Sequence, residues 1–101
     1  MVTTFHDLKN LDVVDSAGTT LGHVIELELD PSDWQIKALI VRLERSVANR
    51  LGLHRLIGNS DLALKIVHVH AVGDTVLLRD SIDDLARIAP AANAEAEQVR
   101  H

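Results

Sequence analysis

A chain of 101 residues has room for one core, and 47% of it is apolar, almost all Val, Leu, Ile and Ala, with Phe5 and Trp34 as the two aromatics. Two rings are too few for the stacking platforms of single-strand nucleic-acid binders, and a net charge of −5 opposes long-range attraction to phosphate backbones or anionic lipid. The lack of cysteine excludes disulfides and thiolate metal sites; with no charged-then-apolar leader and no apolar run approaching the roughly 18–20 residues of a membrane span, a cytoplasmic protein is expected.

In chain order, Phe5, Leu8 and Leu11 recur every three residues, as in a short helical turn packed against one end of the domain. Leu11 to Val14 predicts a short strand. Asp15-Ser-Ala-Gly18 closes it, because an Asp carboxylate bonds amides just downstream of itself and glycine accepts positive φ. Between Leu21 and Asp30 one face carries His23, Ile25, Leu27 and Leu29 and the other Val24, Glu26 and Glu28, the period of a half-buried strand. Gly22 marks a point where two backbones can approach closely.

Pro31-Ser-Asp33 turns the chain into a strand from Trp34 to Leu43, in which Trp34, Ile36, Ala38 and Ile40 share the face expected to meet the core. The opposite face begins polar at Gln35 and Lys37 and continues with Leu39, Val41 and Leu43, so something has to cover it. Glu44 to Leu53 reads as a helix, with Val47 and Leu51 four residues apart and Gly52 placed for a left-handed cap. Leu53, Leu56 and Ile57 follow in a loop. Leu62, Leu64 and Ile66 alternate with Ala63 and Lys65, predicting another strand, and Asp74 to Leu78 predicts the last one after the Gly73-Asp74 turn. Ser81 and Asp84 resemble a capping box before the helical stripe Ile82, Leu85, Ala86 and Ala89, which Pro90 stops. Residues 1–90 are thus read as one domain and 91–101, rich in Ala and Glu, as a flexible tail.

The chemistry-bearing residues form no persuasive catalytic cluster. Glu26, Glu28 and Asp30 alternate along one strand, where i,i+2 side chains stand about 7 Å apart, and this is the expected solvent face rather than a carboxylate pair for acid–base work. His68 and His70 would share a face if their segment were extended, but two imidazoles are too few to hold a metal unaided, so they are read as rim histidines. Arg42, Arg45, Arg50 and Arg55 concentrate positive charge around an apolar stretch without lining up as a phosphate-tracking row. There is no Gly-rich phosphate loop or nucleophile elbow. No catalytic residue, cofactor or metal ligand is assigned. The expected partner surface is Leu39, Val41, Leu43, Val47, Leu51, Leu53, Leu56 and Ile57, rimmed by Arg45, Arg50 and Arg55 and buried against a second copy in an isologous dimer.

The strand-and-turn pattern resembles the PRC-barrel family, the small β-barrel shared by the cytoplasmic domain of the photosynthetic reaction-centre H subunit and the C-terminal domain of the ribosome-maturation factor RimM. The residues that carry it are Val14-Asp15-Ser16 with Gly18, Leu21 to Val24, Leu29-Asp30-Pro31, Ile36 to Val41 and Ala71 to Leu78, spanning most of residues 11–88. Lys65-Ile-Val-His-Val-His70 departs from related chains, which often carry Pro and an acidic residue there. Leu51 to Gly58 and the closing helix are most similar to stand-alone archaeal members, some of them dimeric adaptors near the membrane anchor of the FtsZ ring. The resemblance implies a mainly β, PRC-type barrel of five or six strands with two short helices. It also implies a non-enzymatic adaptor, paired with itself or a paralogous barrel, recruited to the division site. An RNA- or ribosome-associated role similar to RimM is the alternative.

Overall fold

The computed structural model describes residues 4–52 and 60–87. A first turn, α1 (Phe5–Leu8), is held by a capping box in which Thr4 Oγ1 accepts from the Asp7 amide at 3.1 Å and the Asp7 carboxylate accepts from the Thr4 amide. The strands β1 (Asp12–Val14), β2 (Thr20–Asp30) and β3 (Gln35–Leu43) follow, then α2 (Arg45–Arg50) and β4 (Asp61–Lys65). A 3₁₀ turn at Ile66–His68 leads into β5 (Val69–Val72) and β6 (Val76–Leu78), and α3 begins at Ile82 and is described over residues 82–87. The six strands form one sheet in the order β4-β3-β2-β1-β6-β5, antiparallel except for the β1–β6 pair. The expected mainly β, barrel-type architecture is what forms, but the sheet is not closed: β4 and β5 remain its edges among the described residues.

The core is aliphatic. Val13, Leu21, Val24, Leu39, Val41, Leu62, Leu64, Val76 and Leu78 from the sheet meet Val47, Ala48 and Leu51 from α2 and its end, and Ile82 and Leu85 from α3. This corrects the expected orientation of β3. Leu39, Val41 and Leu43 point inward, while Trp34 lies outside the strand, in the turn, 76% exposed. Strict alternation fails because the β2–β3 ladder carries two irregularities, leaving Ile25 as an extra residue on β2 and Lys37 as one on β3. Across Lys37 the phase of β3 shifts by one, so Ile36 packs against the same core as Leu39. The same holds on β2, where Val24 is buried and Leu27, three residues on, also packs against the core.

Gly22 pairs with both Val13 of β1 and Leu43 of β3. A β-carbon at this position would lie 1.9 Å from the main-chain oxygen of Arg42, so no larger residue fits without moving a strand. Gly52 ends α2 at φ +73°, as its position after the helix predicts. The interior helix start, in contrast, is held by an acid from a distant turn. Asp15, 2% exposed, accepts the Ala17 and Thr19 amides on Oδ1 at 3.0 and 2.8 Å, and on Oδ2 the Ile82 amide at 2.8 Å. Beside it the Ser16 amide donates to the Asp80 carbonyl at 3.0 Å. Burial alone would push this carboxyl up, but the amides of Thr19, Ile82 and Ala17, helped by the charge of Arg50, hold it below the ordinary carboxylate range. The expected stop at Pro90 and the tail 91–101 lie outside the described residues.

Gly22→Ala is expected to lower the urea midpoint by the equivalent of about 3 kcal/mol, the upper end of overpacking costs, because main chain rather than a side chain must yield. For Asp15→Asn the expected loss is about 2–3 kcal/mol at neutral pH, since one amide donor is left facing an NH₂ group and the remaining bonds lose their charge. The folded carboxyl titrates below its unfolded value, so its stabilisation is complete above about pH 4 and fades as pH falls through the lower folded value. Urea denaturation of both proteins should therefore show the gap between wild type and variant narrowing below about pH 4; a gap independent of pH would contradict the role assigned to the charge.

Candidate functional site

Five of the residues expected to form the partner surface, Leu39, Val41, Leu43, Val47 and Leu51, are interior, none more than 7% exposed. They therefore cannot present an apolar exterior in the folded chain. Leu53, Arg55, Leu56 and Ile57 lie outside the described residues. Arg45 is exposed on α2, whereas Arg50 reaches Asp83 on α3, Nη2 to Oδ1 at 2.5 Å. Arg42 faces Asp61 across the β3–β4 ladder, Nε to Oδ1 at 3.1 Å. The expected positive band is thus partly neutralised within the domain, which weakens it as a phosphate-binding surface.

The two histidines part company. His68 ends the 3₁₀ turn, with Nδ1 2.6 Å from Asp80 Oδ2 and its carbonyl accepting the Arg79 amide. His70 sits exposed on β5, beside a shallow cavity of about 410 Å³ shared with Ser16, Leu77 and Arg79. Among the described residues no three His, Cys, Asp or Glu side chains gather as a metal site. Of the acids on β2, Glu26 is exposed and Glu28 half-buried, while Asp30 works in the turn that follows.

That turn runs one residue further than Pro31-Ser-Asp33 and takes in Trp34. Asp30 Oδ1 accepts both the amide and the hydroxyl of Ser32, at 2.9 and 2.7 Å, and the Trp34 amide donates to the Asp30 carbonyl at 2.8 Å. Asp33 Oδ1 accepts the Gln35 amide at 3.0 Å, and its Oδ2 lies 2.7 Å from Lys37 Nζ. The Ser32 hydroxyl and amide lower the Asp30 pKa. The Lys37 ammonium and the Gln35 amide do the same for Asp33, and Asp33 in turn raises Lys37. Within this bonded tip Trp34 adopts φ +57°, a region that bulky L-residues rarely enter, and its indole projects to solvent. The signal available in the sequence was Asp-Pro-Ser-Asp, which can extend the turn through Trp34 rather than ending at Asp33.

Beside the tip-proximal part of the same hairpin lies an open groove of about 380 Å³. Ala38, Ala63, Ile66 and Val67 give it an apolar floor, and Glu28, Lys37 and Lys65 stand around it. Ile66 and Val67 are 40% and 66% exposed, so the turn after β4 presents hydrocarbon to solvent as the hairpin tip does. The arrangement places an exposed ring, an apolar slot and a mixed charged border on one hairpin and the turn beside it. No described helix is long and apolar enough to cross a membrane.

A comparison with curated proteins finds no match. The family model for the PRC-barrel domain matches residues 2–85, which includes all six strands and the start of α3. By that match this chain belongs to the PRC-barrel family, and its mainly β, six-stranded sheet is consistent with such a domain.

Proposed function

We propose that this chain is a non-enzymatic protein-interaction module, whose barrel-type domain holds apolar side chains out for another polypeptide. PRC-barrel domains mediate protein interactions. The observation that carries the reading is that Trp34 and Val67, 76% and 66% exposed, stand out furthest among the large apolar side chains left outside a continuous aliphatic core. Trp34 closes the turn with its amide alone, and placing a bulky residue at this positive φ with its ring in solvent supports a role for the indole outside the fold.

A finer reading, an adaptor that joins the membrane anchor of the FtsZ ring in archaeal cell division, is supported by the likeness of Leu51 to Gly58 to stand-alone archaeal members. A RimM-like role on ribosomal particles draws support from family membership and is opposed by the net charge of −5 and by the internal pairing of Arg42 and Arg50. In-cell cross-linking of the tagged full chain followed by mass spectrometry separates the two. Division proteins recovered at Trp34- or Val67-proximal sites are the expected result. Ribosomal proteins, lost as salt rises, would replace the adaptor reading with the RimM-like one, and a chain cross-linked to no protein would remove the interaction reading altogether.

A further inference from the structure

We propose that the cleft between the β1–β2 turn and the β5–β6 hairpin is a binding site for a phosphate monoester, with Arg79, His70 and Ser16 as its donors. The cleft measures about 410 Å³ and is lined by Ser16, His70, Leu77, Leu78 and Arg79. Separate stretches of chain thus bring a hydroxyl, an imidazole and a guanidinium to one place, and among the described residues no acid lines it. A phosphate monoester presents three terminal oxygens to such donors, whereas a carboxylate presents two. The site is distinct from the Trp34 tip and the Val67 corner, so it stands independently of the protein-interaction reading.

Pairing elsewhere in the domain leaves positive charge at this cleft. Arg42, Arg50 and Arg87 each contact an aspartate, Asp61, Asp83 and Asp84 respectively. Arg79 is exposed and has no such partner among the described residues. The acids that flank the cleft in sequence are committed away from it, Asp15 to the Ala17, Thr19 and Ile82 amides and Asp80 to His68. Asp74, in the turn at the far end of the β5–β6 hairpin, does not line it. The walls are fixed by main-chain bonds. The Ser16 amide donates to the Asp80 carbonyl at 3.0 Å and the Arg79 amide to the His68 carbonyl at 2.9 Å. His70 is the extra residue where the β5–β6 register shifts between Val69 and Ala71, and a bulge of this kind re-aims the side chain it carries. With the backbone of all three donors held, binding has only side chains to order. The net charge of −5 weakens long-range attraction of anions, so recognition here rests on short charge-assisted hydrogen bonds.

Inorganic phosphate titrated into the isotope-labelled full chain at low ionic strength should shift the amide resonances of Ser16, His70 and Arg79 together and saturably in the millimolar range, while acetate and chloride leave them in place. Glycerol phosphate and a short phosphoserine peptide separate the sources of the group: tighter binding of the peptide assigns the site to a phosphorylated side chain of a partner, and glycerol phosphate binding as tightly or more so assigns it to a small ester. Arg79→Gln should weaken phosphate at least tenfold, and Ser16→Ala and His70→Gln about threefold each, as expected for losing charged and neutral hydrogen bonds. The three side chains are exposed, so every variant should keep the wild-type urea midpoint. Three results would overturn the proposal: no saturable shift at these amides, acetate matching phosphate, or phosphate binding that Arg79→Gln leaves undiminished. None of them touches the cross-linking partners by which the interaction reading is judged.

Discussion

The Asp15 carboxylate is the constraint around which this small domain is organised. It stands at the end of β1, closes the turn toward β2 through the Ala17 and Thr19 amides, and receives the first amide of α3 from 67 residues further along the chain. A buried acid is costly unless its charge is satisfied, and three main-chain donors satisfy this one in place of water. The result is a fixed distance between the first turn of the sheet and the helix that follows its last strand. That distance matters because the sheet does not close on itself. Ile82 and Leu85 of α3, with Val47, Ala48 and Leu51 around α2, complete the core that a closed sheet would otherwise have to complete alone.

Packing then decides which apolar residues remain for function. The extra residue at Lys37 turns Leu39, Val41 and Leu43 inward, and the two helices lie over them. What stays outside is not the long aliphatic face of a strand but scattered side chains, Phe5, Leu29, Val72 and Leu77 among them, of which Trp34 at the hairpin tip and Val67 at the corner after β4 are the most exposed. Both are braced by local bonds, the tip through Asp30 and Asp33, the corner through a 3₁₀ turn whose last residue is tied to Asp80. Membership of the PRC-barrel family is consistent with such a division, in which the aliphatic interior serves the fold and a few outward side chains serve a partner.

Much of this was legible in the residues. Asp15 to Gly18 as a turn, Gly22 as a close approach, Gly52 as a left-handed cap and Ser81 as the cap of α3 each follow from local chemistry, and each is where its residue type requires. The site was much less legible. A bulge inserts one residue without any compositional mark, so alternation read through Lys37 assigns the wrong face to β3 and makes core residues look like a surface. β5 leaves no periodic mark in the sequence because three of its four residues are exposed; it is held by its ladder to β6 rather than by a buried face, and periodicity reports only burial. The arginines looked like one band because their partners Asp61 and Asp83 are distant in sequence. Likewise the far half of the Asp15 site, Ile82, is invisible to any local window.

The most direct test of this account is a carboxyl-carbon NMR titration of Asp15 in the intact protein, with the amide resonances of Ala17, Thr19 and Ile82 followed on the same samples. The account predicts a midpoint below that of an ordinary aspartate, with all three amides moving in step with it. An ordinary midpoint, or an Ile82 amide indifferent to the titration, would contradict it.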